Sequence, residues 1–127
     1  MASQLIPLLR HGDRAALGRE LAPCVRFHSP AADYEGRSDV AHLLWLIASV
    51  LDDLRPTREL TEPGGVTTFI SAEVKAQALD GVLDERVDES GRVAEATLLL
   101  RPLVTLQVAI EAMREGLAAD PLPSRRT

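Results

Sequence analysis

The residue best placed to do chemistry is Glu85. In the run Val82-Leu83-Asp84-Glu85-Arg86-Val87, strand alternation puts Leu83, Glu85 and Val87 on one face and Asp84 and Arg86 on the other. If the Leu83/Val87 face lines a pocket, Glu85 is a carboxylate on a mostly apolar wall. Desolvation there raises its pKa toward general acid/base use. A bulge that turns it outward, or a salt bridge that neutralises it, would leave it purely structural. Arg101 is its most attractive partner. It shares a face with Val93, Glu95, Thr97 and Leu99, opposite the wholly apolar Ala94, Ala96, Leu98 and Leu100. The apolar set is the better core candidate, so Leu98 and Leu100 are expected to line the pocket. Arg101 then has an alternative role in bracing the corner after its strand. Tyr34, in a loop before a long helix, could hydrogen-bond a ligand or be an ordinary solvated turn residue.

Other polar positions are weaker. Glu73 shares parity with Phe69 and Ser71. It nears the pocket if Phe69 faces in, and is solvated if Ile70, Ala72 and Val74 do. His28 lies opposite Val25 and Phe27 and is expected on a solvent or interface face, or as a titratable group at a pocket mouth. His11 and His42 are scattered, so neither a metal nor a cofactor is expected. Trp45 falls far from the apolar stripe of its helix. It is expected at a pocket wall, a subunit interface or a satellite core under a loop.

The elements that must hold these residues follow from periodicity. Leu5, Leu8 and Leu9 suit a short helix, and Asp13 caps a second one. Val25-Arg26-Phe27-His28 alternates as a strand, ended by Ser29-Pro30. Val40, Leu43, Leu44, Ile47, Val50 and Leu51 form the stripe of a long amphipathic helix. Strands are then expected over 55–62, 66–74, 79–87 and 92–101, with turns at Pro63-Gly64-Gly65, Lys75-Ala76-Gln77 and Asp88-Glu89-Ser90-Gly91. After Pro102, Leu103, Leu106, Ile110, Met113 and Leu117 repeat as a final helix. Consecutive strands predict an α+β fold: a cone-shaped, curved antiparallel sheet wrapped around the long helix. The open end of such a cone is a natural small-molecule pocket. One domain is expected over 1–119, with a loose tail over 120–127.

Composition bounds the function. The chain has 127 residues, 46% of them hydrophobic and only 3% aromatic, so an aliphatic core is affordable in size for one domain. A net charge of −5 argues against a general nucleic-acid surface. The single cysteine, Cys24, excludes an intrachain disulfide and fits a reducing compartment. The opening residues lack the pattern of a secretory leader, and no apolar run approaches the ~18–20 residues of a membrane span. A cytoplasmic protein is expected, with a small hydrophobic molecule as partner and no membrane contact. Apolar residues on the second sheet face (Val82, Leu99 or Ile70) suggest a homodimer.

Three segments in this order resemble the nuclear transport factor 2-like superfamily, also called SnoaL-like or cystatin-like. They are Gly12-Asp13-Arg14-Ala15-Ala16-Leu17 leading to Val25-Arg26-Phe27-His28-Ser29-Pro30, then Tyr34-Glu35-Gly36-Arg37, then Asp88-Glu89-Ser90-Gly91-Arg92-Val93 followed by Leu99-Leu100-Arg101-Pro102-Leu103. The resemblance implies an apolar pocket and an isomerase, lyase or polyketide cyclase-like activity, or a non-catalytic binding module. The ketosteroid isomerase branch implies a carboxylate base at the position of Ser29, an oxyanion-binding tyrosine at Leu5 and an oxyanion-binding acid at Leu83. None of the three is present. Neutral serine is a poor base, and leucine neither takes nor donates a proton. Glu85, Arg101 and Tyr34 are therefore the catalytic candidates. Trp45, Phe69, Leu83, Leu98, Leu100 and Ser29 are the expected pocket residues.

Overall fold

The computed structural model describes residues 2–125. Two short helices, α1 (Leu5–His11) and α2 (Arg14–Glu20), lead into strand β1 (Leu21–His28) and a three-residue strand β2 (Asp33–Glu35). The long helix α3 (Arg37–Val50) follows. Then come β3 (Asp52–Glu62), β4 (Gly65–Val74), β5 (Gln77–Val87) and β6 (Val93–Arg101), helix α4 (Leu103–Ala119) and a 3-10 turn at Pro123–Arg125. The α+β architecture and the curved sheet agree with the sequence reading.

The antiparallel meander is only part of the sheet. Its order is β2-β1-β6-β5-β4-β3, six strands in all. β1 runs parallel to β6, with Phe27 opposite Ala96, and β2 turns back antiparallel on β1, with Tyr34 opposite Phe27. The sheet is therefore mixed, not wholly antiparallel. Burial explains why β1 joins it: Leu21, Val25 and Phe27 are fully buried. Pro23 lies inside β1, where the register with β6 shifts between Leu21 and Arg26. A missing N–H interrupts no regular ladder at such an irregularity.

Alternation now has a direction. On β4, Val66, Thr68, Ile70, Ala72 and Val74 are buried, while Thr67, Phe69, Ser71 and Glu73 are only half-buried on the other face. On β5 and β6 the buried set includes Leu79, Leu83, Glu85, Ala96 and Leu98. Helix α3 packs on this inner face through Val40, Leu43, Leu44 and Ile47. Each such side chain contributes roughly 1.5–3 kcal/mol on burial. Ala41, His42 and Leu46 are buried too, because α2 and the 3-10 turn cover the far side of α3.

The end of the chain supplies part of that cover. Leu122 is buried, the Ser124 N–H donates to Asp39 Oδ1 at 2.9 Å, and His42 Nε2 donates to the Asp120 carbonyl at 2.8 Å. The expectation of a loose tail does not hold for 120–125. Residues 126 and 127 lie outside the described residues. The apolar Leu122 between two prolines is what a reading of prolines alone overlooks.

Helix α1 has seven residues, too few to be stable alone in water. Its first N–H groups are satisfied from a distant strand. Glu85 Oε1 accepts from Gln4 N at 3.0 Å and from Leu5 N at 2.9 Å, and Oε2 accepts from the Ser3 hydroxyl. Ser3 Oγ in turn accepts from Ile6 N at 3.0 Å. Glu85 thus caps α1 in trans, its charge set against the positive end of the helix. Replacing it by alanine would strand these buried donors. Glu85→Ala is expected to lower unfolding stability in urea by about 2–4 kcal/mol. Glu85→Gln keeps an acceptor for the two N–H groups and is expected to cost less than half as much. Equal losses for the two variants would contradict the capping role.

Candidate functional site

An apolar cavity lies between α3, α4 and the β6 end of the sheet, and has a volume of about 280 Å³. Its inner wall is Leu43, Ile47, Val50 and Leu51 from α3 and its end, with Leu98 and Leu100 from β6. Its outer wall is α4, through Leu106, Ala109, Ile110, Met113 and Leu117. The turn between β1 and β2 forms the rim with Ser29, Pro30 and Ala31, and Tyr34 follows from β2. Such a volume is just below the usual range for ligand pockets, roughly 300–1,000 Å³. Gly81 helps to shape it. It sits opposite Leu100, and a Cβ there would lie 2.2 Å from the Leu99 carbonyl oxygen and 2.6 Å from Leu100 Cδ2.

Four expected site residues meet in this cavity: Ser29, Tyr34, Leu98 and Leu100. Five do not. Leu83 is fully buried in the core, opposite Leu98 on the neighbouring strand, and does not itself line the cavity. Glu85 does face inward and is fully buried, but its carboxylate is taken up by α1. Burial pushes the Glu85 carboxyl up, opposed by the Ser3 hydroxyl and by the Leu5 and Gln4 N–H groups. Arg101 points outward and is mostly exposed, 3.7 Å from Asp80 across the strand pair. It is not a partner of Glu85, because the apolar face of β6 is the inner one. Phe69 lies on the outer sheet face under the Arg58 guanidinium, 5.3 Å from its ring centre. Glu73 shares that outer face. Trp45 packs beneath Arg14 of α2, whose guanidinium carbon is 3.9 Å from the ring centre, with His42 alongside. It packs against the margin of the main core and does not line the cavity.

The polar equipment of the cavity is sparse. Ser29 is occupied by its own turn: Oγ donates to the Ala32 carbonyl at 2.8 Å and accepts from Ala31 N and Ala32 N at 3.2 and 3.0 Å. A hydroxyl with its donor and both acceptor sites used is a brace, not a base. Tyr34 and Arg114 are the other polar lining residues. Arg114 was not singled out from sequence, because it is one of many charges on an amphipathic helix. Its position next to Ile110, Met113 and Leu117 on the α4 stripe was the available signal. Leu5 and Leu83, where an isomerase would hold its oxyanion, are fully buried side chains packed in the core. Among the described residues, no three His, Cys, Asp or Glu side chains gather as a metal site requires. No described helix is long and apolar enough to cross a membrane.

A charged network fastens the rim from the outer face. His28 Nδ1 is 2.9 Å from Asp33 Oδ1, and Nε2 is 2.7 Å from Glu95 Oε2, which Arg26 also approaches at 3.4 Å. Only the imidazolium can donate from both nitrogens. The Asp33 and Glu95 hydrogen bonds accordingly raise the His28 pKa, and the His28 bond lowers that of Glu95. A raised histidine stabilises the fold fully below its unfolded value of about 6.5, and loses that contribution as pH rises through the folded value. Stability in urea is therefore expected to decline from about pH 6.5 upward. His28→Gln should flatten that decline. An unchanged pH slope in the variant would show that His28 is not the titrating group.

The fold has close relatives among solved structures. An uncharacterised protein with a cystatin-like fold from Silicibacter pomeroyi superposes with a TM-score of 0.88 at 24% identity, over 92% of this chain and 84% of that one. A steroid delta-isomerase from Pseudomonas aeruginosa gives 0.84 at 31% identity, over 89% of this chain and 85% of that one. A nuclear transport factor 2-like protein of unknown function from Cytophaga hutchinsonii gives 0.67 at 12% identity, over 78% and 85%. No known family model matches the sequence, and no curated protein matches it. The six-stranded sheet curved over α3, together with these likenesses, shows that the chain belongs to the nuclear transport factor 2-like superfamily, with its cystatin-like fold.

Proposed function

We propose that the α3–α4 cavity binds a small hydrophobic molecule and that the chain acts as a binding member of its superfamily, without proton-transfer catalysis. The observation that carries this reading is the chemistry of the lining. Among the described residues no Asp, Glu or His lines the cavity, and the one fully buried carboxylate, Glu85, is held by α1. A proton shuttle needs a base within hydrogen-bond reach of the ligand. The cytoplasmic setting rests on the sequence alone.

A second reading is an isomerase, lyase or cyclase acting on such a molecule, with Tyr34 as hydrogen-bond donor. It is favoured by the 31% identity to the steroid delta-isomerase. One experiment separates the two. Ligand-induced thermal stabilisation is measured across steroids, polyketides and terpenoids, and the conversion of a β,γ-unsaturated ketosteroid to its conjugated isomer is followed by absorbance. The binding reading expects stabilisation by at least one class and conversion at the buffer rate. Conversion above that rate that disappears in Tyr34→Phe would establish the second reading.

We also propose a homodimer through the outer sheet face. Phe69, Val82 and Leu99 are cross-strand neighbours on β4, β5 and β6, forming one apolar row among charges. Leu99 is 59% exposed. Ile70, named from sequence for this face, is buried on the inner side instead. Light scattering at micromolar concentration is expected to give the dimer mass, and Leu99→Lys the monomer mass. A monomer in the unaltered protein would refute the dimer.

A further inference from the structure

Among the described residues, one charged side chain lines the cavity, and it is a cation. Arg114 stands on α4 between the pocket residues Ile110, Met113 and Leu117. Its side chain is 71% exposed, so the guanidinium sits at the water edge while its methylene stem can lie along the apolar wall. No acidic residue lines the cavity among those described. The chain as a whole carries −5, so a lone cation at the mouth of an apolar cleft runs against the overall charge. Its present partner is Glu111, one helical turn earlier, with Arg114 Nη1 2.6 Å from Glu111 Oε2. An exposed pair of this kind contributes little, and its partner can be exchanged. A planar guanidinium matches a carboxylate in bidentate geometry.

On the footing that the α3–α4 cavity is the ligand site, we propose that its ligand is an anionic amphiphile: an apolar body among Leu43, Ile47, Leu98 and Met113, and a carboxylate head at Arg114. The head displaces Glu111 from the guanidinium, and the Tyr34 phenol is the other polar group available to the ligand. The volume limits the body. A volume of about 280 Å³ lies just below the usual range for small-molecule pockets, roughly 300–1,000 Å³. A medium-length alkyl chain or a compact ring system suits that volume.

The test is calorimetric titration with octanoate and with octanol, at concentrations where both are monomeric. Octanoate is expected to bind about fivefold more tightly than octanol. Arg114→Gln should bring that ratio to about one, and Glu111→Gln should raise it by removing the competing carboxylate. Added salt should narrow the ratio, because the head is near solvent. A ratio near one in the unaltered protein, or a preference that survives Arg114→Gln, would overturn the head-group assignment while leaving the pocket in place. Ile110→Trp, which fills the cavity, is expected to abolish binding of both probes. If neither probe binds the unaltered protein, or if Ile110→Trp binds both as before, the pocket reading falls and the head-group proposal falls with it.

Discussion

The carboxylate of Glu85 against the start of α1 is the interaction on which the rest depends. It joins the first helix to the centre of the sheet across eighty residues of chain. A seven-residue helix gains its place through that carboxylate, through Ser3 Oγ on Ile6 N, and through burial of Leu5, Ile6 and Leu9. Burial makes the charge expensive, while three donors and the helix dipole offset the expense. The arrangement has a functional consequence. A catalytic acid or base must be free to face a ligand, and Glu85 is not. With Leu5 and Leu83 filling the core beside it, this region of the fold is solid.

The open space lies elsewhere because α4 is held unevenly. Only Thr105 and Ala109 of that helix are buried, while Leu103 and Val104 are exposed. Beyond its C-terminal end, the chain is fastened to α3 by Leu122, by Ser124 on Asp39 and by His42 on the Asp120 carbonyl. The middle of α4 therefore spans the sheet end as a roof, with its apolar stripe turned to a gap. The β1–β2 turn closes the side, braced internally by Ser29 and externally by His28 between two carboxylates. A rim with a titratable support and a roof that carries Arg114 frame the cleft proposed to bind ligand.

Much of this was legible in the sequence because period and parity are local. The alternation of β6 set Leu98 and Leu100 on the face opposite Arg101, and the parity of β5 put Glu85 on the same face as Leu83. What parity cannot give is the identity of the neighbour. Glu85 meets α1 and not a ligand, because the N-terminal helix docks over α3 and β3 with its first turn on β5. Arg101 and Phe69 were attractive as chemistry, yet their faces were decided by the apolar residues beside them, Leu98 and Leu100 in one case and Ile70 and Ala72 in the other. The parallel pairing of β1 with β6 joins residues about seventy positions apart, and no local pattern encodes it. The stripe of α4 was read, but a stripe facing a core and a stripe facing a cavity have the same spacing. Arg114 stayed hidden for that reason.

The central claim is that ligand occupies the α3–α4 cleft and leaves the Glu85 region untouched. Methyl and amide NMR during titration with an apolar carboxylate tests it directly. Shifts are expected at the methyl groups of Ile47, Leu98, Ile110 and Met113, with the Gln4 and Leu5 amides unmoved. Shifts concentrated at Leu83 and the α1 amides, with Met113 and Leu98 unchanged, would contradict it.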